Sequence, residues 1–81
     1  MTLEKQFKIL LTEMSQSLTV QDVDQITELV DANELGVAFE NFCMQLYERG
    51  ATCSPEQLVL IGSIGTAMNI NPEYWERLET L

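Results

Sequence analysis

Apolar residues recur at intervals of three and four along nearly the whole chain, the spacing of one buried face on an α-helix. Leu3, Phe7, Leu10, Leu11 and Met14 form the first such stripe, and Thr2 stands ahead of it as a cap, so a helix is predicted to about Met14. Ser15-Gln16-Ser17 reads as a short polar loop. Thr19-Val20-Gln21-Asp22 then has the form of a capping box, with Asp at the position usually held by Glu or Gln, and Leu18 and Val23 are placed for a hydrophobic staple. The second helix runs to about Asp31 and turns Val23, Ile26, Leu29 and Val30 inward. Ala32-Asn33 is a tight connection, with Asn33 suited to the left-handed conformation that closes a helix.

The stretch from Val30 to Gly50 is the centre of the pattern. Its helix, from about Glu34 to Arg49, buries Leu35, Ala38, Phe39, Phe42, Cys43 and Leu46, and Gly50 stops it. Its outer face reads Val37, Glu40, Asn41, Met44 and Glu48. Coverage on more than one side is the commoner arrangement for a central helix and is expected here. The other arrangement leaves Val37 and Met44 as an apolar spot inside an acidic rim. Ser54-Pro55-Glu56-Gln57 is a strong helix start. The fourth helix, to about Asn69, carries Leu58, Leu60, Ile61, Ile64, Ala67 and Met68 around most of its circumference, so it is expected to be the most buried. Gly62 and Gly65 each weaken it by about 1 kcal/mol relative to Ala, which a close neighbouring helix would offset. Asn71-Pro72-Glu73 starts a last short helix, Pro72 to about Leu81, with Trp75, Leu78 and Leu81 toward the core and Tyr74 more exposed. Five helices on short loops imply an all-α fold, a compact bundle of short helices in one domain spanning 1–81. Cys53 falls in a loop.

Charge narrows the classes of function. Thirteen acids face four bases, a net charge of −9. Such a surface repels phosphate backbones and anionic membranes, so neither nucleic acid nor membrane is an expected partner. It would steer toward a basic partner, or the acidity serves only to keep the protein soluble. On the second helix, Gln21, Asp24, Glu28 and Asp31 share an arc of roughly 80°. Asp24–Glu28 and Glu28–Asp31 are like-charge pairs, each costing about 0.2–0.5 kcal/mol in an isolated helix. Asp31 also lies at a helix C-terminus, where the macrodipole disfavours an anion. No Lys or Arg lies between Lys8 and Arg49 to relieve this locally. Solvated faces of this kind are common. A face that binds a basic surface accounts for the tolerated repulsion more specifically.

Catalytic patterns are missing. Without histidine, Cys43 and Cys53 lack the usual base, and their spacing fits no metal or redox motif. Asp22-Val23-Asp24 opens like a calcium loop, but Ile26 stands at the third ligand position and the required Gly is absent. Gly62-Ser63-Ile64-Gly65 is mid-helix with no Lys after it, so it is no phosphate loop. Gln16-Ser17-Leu18 is a poor match to the Asp-Ser-Leu of acyl carrier proteins. A non-enzymatic protein with no cofactor and no metal is expected. The amphipathic N-terminus is not a signal peptide, and Gln57–Pro72 is too short to span a bilayer, so a soluble cytoplasmic protein is expected.

Asp31-Ala32-Asn33-Glu34-Leu35-Gly36-Val37-Ala38, followed by Phe42-Cys43-Met44-Gln45-Leu46-Tyr47-Glu48, resembles the MafI family of bacterial immunity proteins. The similarity continues through the Ser-Pro-Glu start at Ser54, the Ile61–Met68 segment with Gly65, and Asn71-Pro72 and Tyr74-Trp75 before a Leu-rich end, so it spans nearly the whole chain. It implies a cognate antitoxin of a secreted polymorphic toxin, including those of contact-dependent growth inhibition. The toxin domains paired with such proteins are often nucleases, notably EndoU-class RNases. The implied partner is a basic nuclease domain. The contact residues read from this sequence are Asp24, Glu28 and Asp31, with Glu34 carrying the edge into the loop. Glu40, Met44 and Glu48 form a second patch. The competing reading is a small acidic interaction or regulatory module, homodimeric or not, with no toxin partner.

Overall fold

Local capping chemistry starts three of the helices in the computed structural model, which describes residues 1–80. The Thr2 hydroxyl accepts from the Lys5 N–H and begins α1 (Leu3–Glu13). A single 3-10 turn at Ser15–Ser17 replaces the expected loop. Thr19 and Asp22 close a reciprocal capping box at 3.0 Å in both directions and begin α2 (Val20–Asp31). After α3 (Leu35–Glu48) and a two-residue strand β1 (Thr52–Cys53), Ser54 and Gln57 form a second box at the head of α4 (Pro55–Ala67). Such caps contribute about 0.5–2 kcal/mol each.

Left-handed residues end the long helices. Asn33, Gly50 and Asn69 have φ of 63°, 62° and 57°. At each, two backbone bonds close a Schellman motif: for α3, Gly50 N–H donates to the Tyr47 carbonyl at 3.1 Å and Ala51 N–H to the Leu46 carbonyl at 3.0 Å. Asn33 and Gly50 were both expected in this role, and their turns set the directions in which α2 and α3 lead onward.

The core is centred on α3. Ala38, Phe39, Phe42, Cys43 and Leu46 are all fully buried. Phe7 of α1 meets Phe42 edge-on, with centroids 5.2 Å apart, and Phe39 at 5.9 Å. The expectation that α4 is the most buried helix is wrong. Only Ile61, Ile64 and Gly65 of α4 are buried, and Val59 is 74% exposed. Apolar residues on all sides do not by themselves indicate burial, because single exposed aliphatics are common on protein surfaces.

The C-terminal segment also differs from expectation. Helix α5 is one turn, Glu73–Glu76, and the chain then extends into β2 (Glu79–Thr80), which pairs parallel with β1 as Thr52↔Glu79 and Cys53↔Thr80. This pairing joins residues far apart in sequence, so helical spacing could not announce it. It also removes Cys53 from the expected loop and buries it completely. Leu78 is buried as expected, Trp75 and Tyr74 are both half-buried, and Leu81 lies outside the described residues.

The two α4 glycines have the expected neighbour: the Trp75 ring lies over both. A Cβ on Gly62 would sit 3.3 Å from Trp75 Nε1, whereas one on Gly65 would overlap the ring, 2.6 Å from Cη2. Trp75 cannot swing away freely, because its ring packs edge-on against Phe39 at 5.9 Å. Gly65→Ala is therefore expected to lose about 1–3 kcal/mol. Gly62→Ala should be near neutral, since helix propensity returns about 1 kcal/mol. Urea denaturation of the two variants checks this, and equal midpoints would count against the Trp75 packing.

Candidate partner-binding surface

The capping box at Thr19 fixes the phase of α2 and leaves Asp24, Glu28 and Asp31 exposed. Glu34, also exposed, is the residue before α3 and makes no side-chain cap bond. The four do not act as one stripe. Asp31 faces α1, where Lys8 Nζ lies 3.6 Å from its Oδ1 and 3.7 Å from Glu4 Oε2. The repulsion on α2 thus has basic relief from across the fold rather than along the helix, although an exposed pair of this kind contributes only about 0–1 kcal/mol. Glu28 is on the other flank. With Gln25, Leu29, Ala32 and Asn41 it lines a groove of ≈450 Å³ between α2 and α3. Asp24 lies between the two on the helical wheel.

The outer face of α3 is open. Val37 is 48% exposed, Met44 42% and Tyr47 49%, so the expected cover on a second side is absent and the apolar-spot arrangement is the one found. Glu48 is exposed and Glu40 half-buried. The reason is one-sided packing: α1, α2 and α5 all meet α3 from the face that carries Phe39 and Phe42 or from its edges. Met44 opens onto a groove of ≈720 Å³ shared with Asn71, Glu73, Tyr74, Glu76 and Arg77. Asn41 and Met44 lie about 60° apart around α3, so the two grooves flank its outer face. Glu73, Tyr74 and Glu76 were not among the residues expected from the sequence. Asn71-Pro72 marked a helix start there, but only the docking of α5 beside α3 places its acids next to Met44.

The basic residues are largely occupied within the molecule. Arg49 grips Asp22 with two bonds, Nε to Oδ2 and Nη2 to Oδ1 at 3.1 Å, across 27 residues of sequence. Asp22, expected only as a capping residue, thus also ties α2 to the end of α3 and is the buried charged residue of the core. The Arg49 guanidinium, aided by the Thr19 cap and opposed by burial, lowers the Asp22 carboxyl from 3.8 to about 2. Arg77 lies over the Tyr47 ring at 4.0 Å from its centroid. With Lys8 paired as well, Lys5 is the one base without an ion-pair or ring partner among the described residues.

A pH dependence follows from Asp22. A lowered folded-state value means that the pair stabilises the fold above the ordinary pKa of 3.8 and that this contribution is lost as pH falls toward about 2. The stability difference between wild type and Arg49→Met should be greatest near neutral pH and shrink across that acid window. Denaturation midpoints at a series of pH values test it, and a constant difference would show that Arg49 does not act through the Asp22 charge.

Burial, with a smaller effect from Cys53, pushes the Cys43 thiol up to about 12, and burial also raises Cys53, so neither is a ready nucleophile. Among the described residues no group of three or more His, Cys, Asp or Glu is placed to hold a metal ion, and no helix is long and apolar enough to cross a membrane. No family model, curated protein or solved structure matches the chain.

Proposed function

We propose that this protein is an immunity protein that neutralises a cognate secreted nuclease, an RNase of the EndoU type, by covering its basic RNA-binding cleft. The observation that carries the reading is the open outer face of α3, where Val37, Met44 and Tyr47 are exposed among Glu28, Glu40, Glu48, Glu73 and Glu76. The resemblance to MafI-family immunity proteins points the same way. A cleft built to hold phosphates presents cations at short spacing, and carboxylates on a rigid helix can take the places of those phosphates. The apolar centre provides contacts that exclude water around them. The body measures 31 × 27 × 20 Å, so its broad side is of the size a standard interface covers, about 800 Å² a partner.

The mechanism is occlusion, steric and electrostatic, with no bond made or broken by this chain. Asp24, Glu28 and Glu48 supply unpaired charge that draws the partner in, while Asp31 contributes less because Lys8 shares its field. The same acids oppose pairing of this face with a second copy, each carrying −9, which disfavours the homodimeric reading.

Association with a cognate nuclease domain, sought in the gene next to this one, should be fast and should slow by about tenfold or more between low and high salt. Asp24→Lys with Glu28→Lys should slow it further and flatten the salt dependence. Stopped-flow or surface-based kinetics report both. An unchanged on-rate with an unchanged salt slope removes these two residues from the steering field.

A further inference from the structure

We propose that the groove between α3 and α5 is the anchoring subsite of the interface and that it seats an arginine- or lysine-bearing segment of the toxin. The inference rests on the immunity reading above and assigns its tight contact to residues of α5. At ≈720 Å³ the groove falls in the range of clefts that hold ligand groups, about 300–1,000 Å³. Its lining is two-natured. Met44 and Tyr74 offer an apolar and aromatic surface, and Glu73 and Glu76 offer carboxylates. Long basic side chains have the same division, with an apolar stem and a cationic tip, so one side chain satisfies both halves of the lining.

The groove keeps a net negative charge, with Glu73 and Glu76 against Arg77 in its lining. Its own cation, Arg77, is stacked on Tyr47 and forms no ion pair with Glu73 or Glu76 among the described residues. That contact places a guanidinium carbon 4.0 Å from the centre of a neighbouring ring, and Tyr74 in the groove lining is a second ring for an incoming cation. The α2–α3 groove differs: it has Glu28 as its one acid and no aromatic residue. The two grooves therefore divide the work. Charge on α2 governs the approach, and the α3–α5 groove governs how long the complex lasts.

The test uses the full chain and the candidate nuclease domain sought in the gene next to its own. Glu73→Lys with Glu76→Lys should raise Kd about tenfold or more, chiefly through faster dissociation, whereas Asp24→Lys with Glu28→Lys should leave the off-rate within about twofold. Glu73→Gln with Glu76→Gln, which keeps size and removes charge, should fall between wild type and the reversal. With methionine methyls labelled, the Met44 signal should shift on complex formation while that of Met14, 3% exposed in the core, stays in place. A reversal variant that binds within about twofold of wild type, or a Met44 methyl that does not move, overturns the groove assignment and leaves the immunity reading standing. Failure of the wild-type protein to bind overturns both.

Discussion

Phe42→Ala should lower the free energy of unfolding by about 3–5 kcal/mol. The ring is fully buried, edge-on to Phe7 at 5.2 Å and tilted against Phe39 at 6.5 Å. Truncation removes its transfer free energy, leaves a cavity between α1 and α3, and forfeits aromatic contacts of about 0.5–1.5 kcal/mol each. For 81 residues the whole folding free energy is roughly 4–12 kcal/mol, so this one substitution brings the chain to the edge of folding. Met44→Ala is the matched control. It lies on the same helix with its side chain on the open face, and it should cost less than about 1 kcal/mol. Urea denaturation separates the two. Similar losses would mean that the aromatic cluster is not what holds α1 to α3.

The contrast between Phe42 and Met44 also shows where sequence pattern informs and where it stops. Spacing and capping chemistry identified the first four helices, because those signals are local: Thr19 reaches Asp22, Ser54 reaches Gln57, and Asn33 and Gly50 adopt the backbone that closes a helix. The all-α bundle followed from them. What failed was non-local. β2 exists because Glu79 and Thr80 pair with residues 52 and 53, and a helical pattern running toward Leu81 contained no sign of that pairing. Arg49 meets Asp22 across 27 positions, and Lys8 meets Asp31 across 23, so of the charges that looked unrelieved along α2 the one at Asp31 is partly relieved in space.

The surface divides along the same line. Exposure of Asp24, Glu28, Asp31 and Glu48 was readable from helical phase, and that of Glu34 from its place at the turn before α3. Which of them share a groove was not. Glu28 and Asp31 are three residues apart on one helix, yet one lines the α2–α3 groove and the other pairs with α1. Met44 was expected beside Glu40 and Glu48, and the structure adds Glu73, Tyr74 and Glu76 from a helix of one turn. Even the open outer face of α3 was the less expected of two arrangements, because nothing in a helical period tells how many neighbours a central helix has.

On the proposed function, the largest effect should appear when a candidate nuclease domain, sought in the gene next to this one, is titrated with the protein and RNA cleavage is followed. An acidic face laid over a basic cleft competes with every phosphate of the substrate at once, so inhibition should not depend on the RNA sequence. Above the dissociation constant it should be stoichiometric, with cleavage falling to the level without enzyme at roughly one protein per nuclease. Added salt should relax it by weakening association. If occlusion is the whole of the proposed mechanism, the protein should be recovered unmodified. Cleavage that continues undiminished at about tenfold molar excess of the protein, under low salt where the acidic face is strongest, would contradict the central claim.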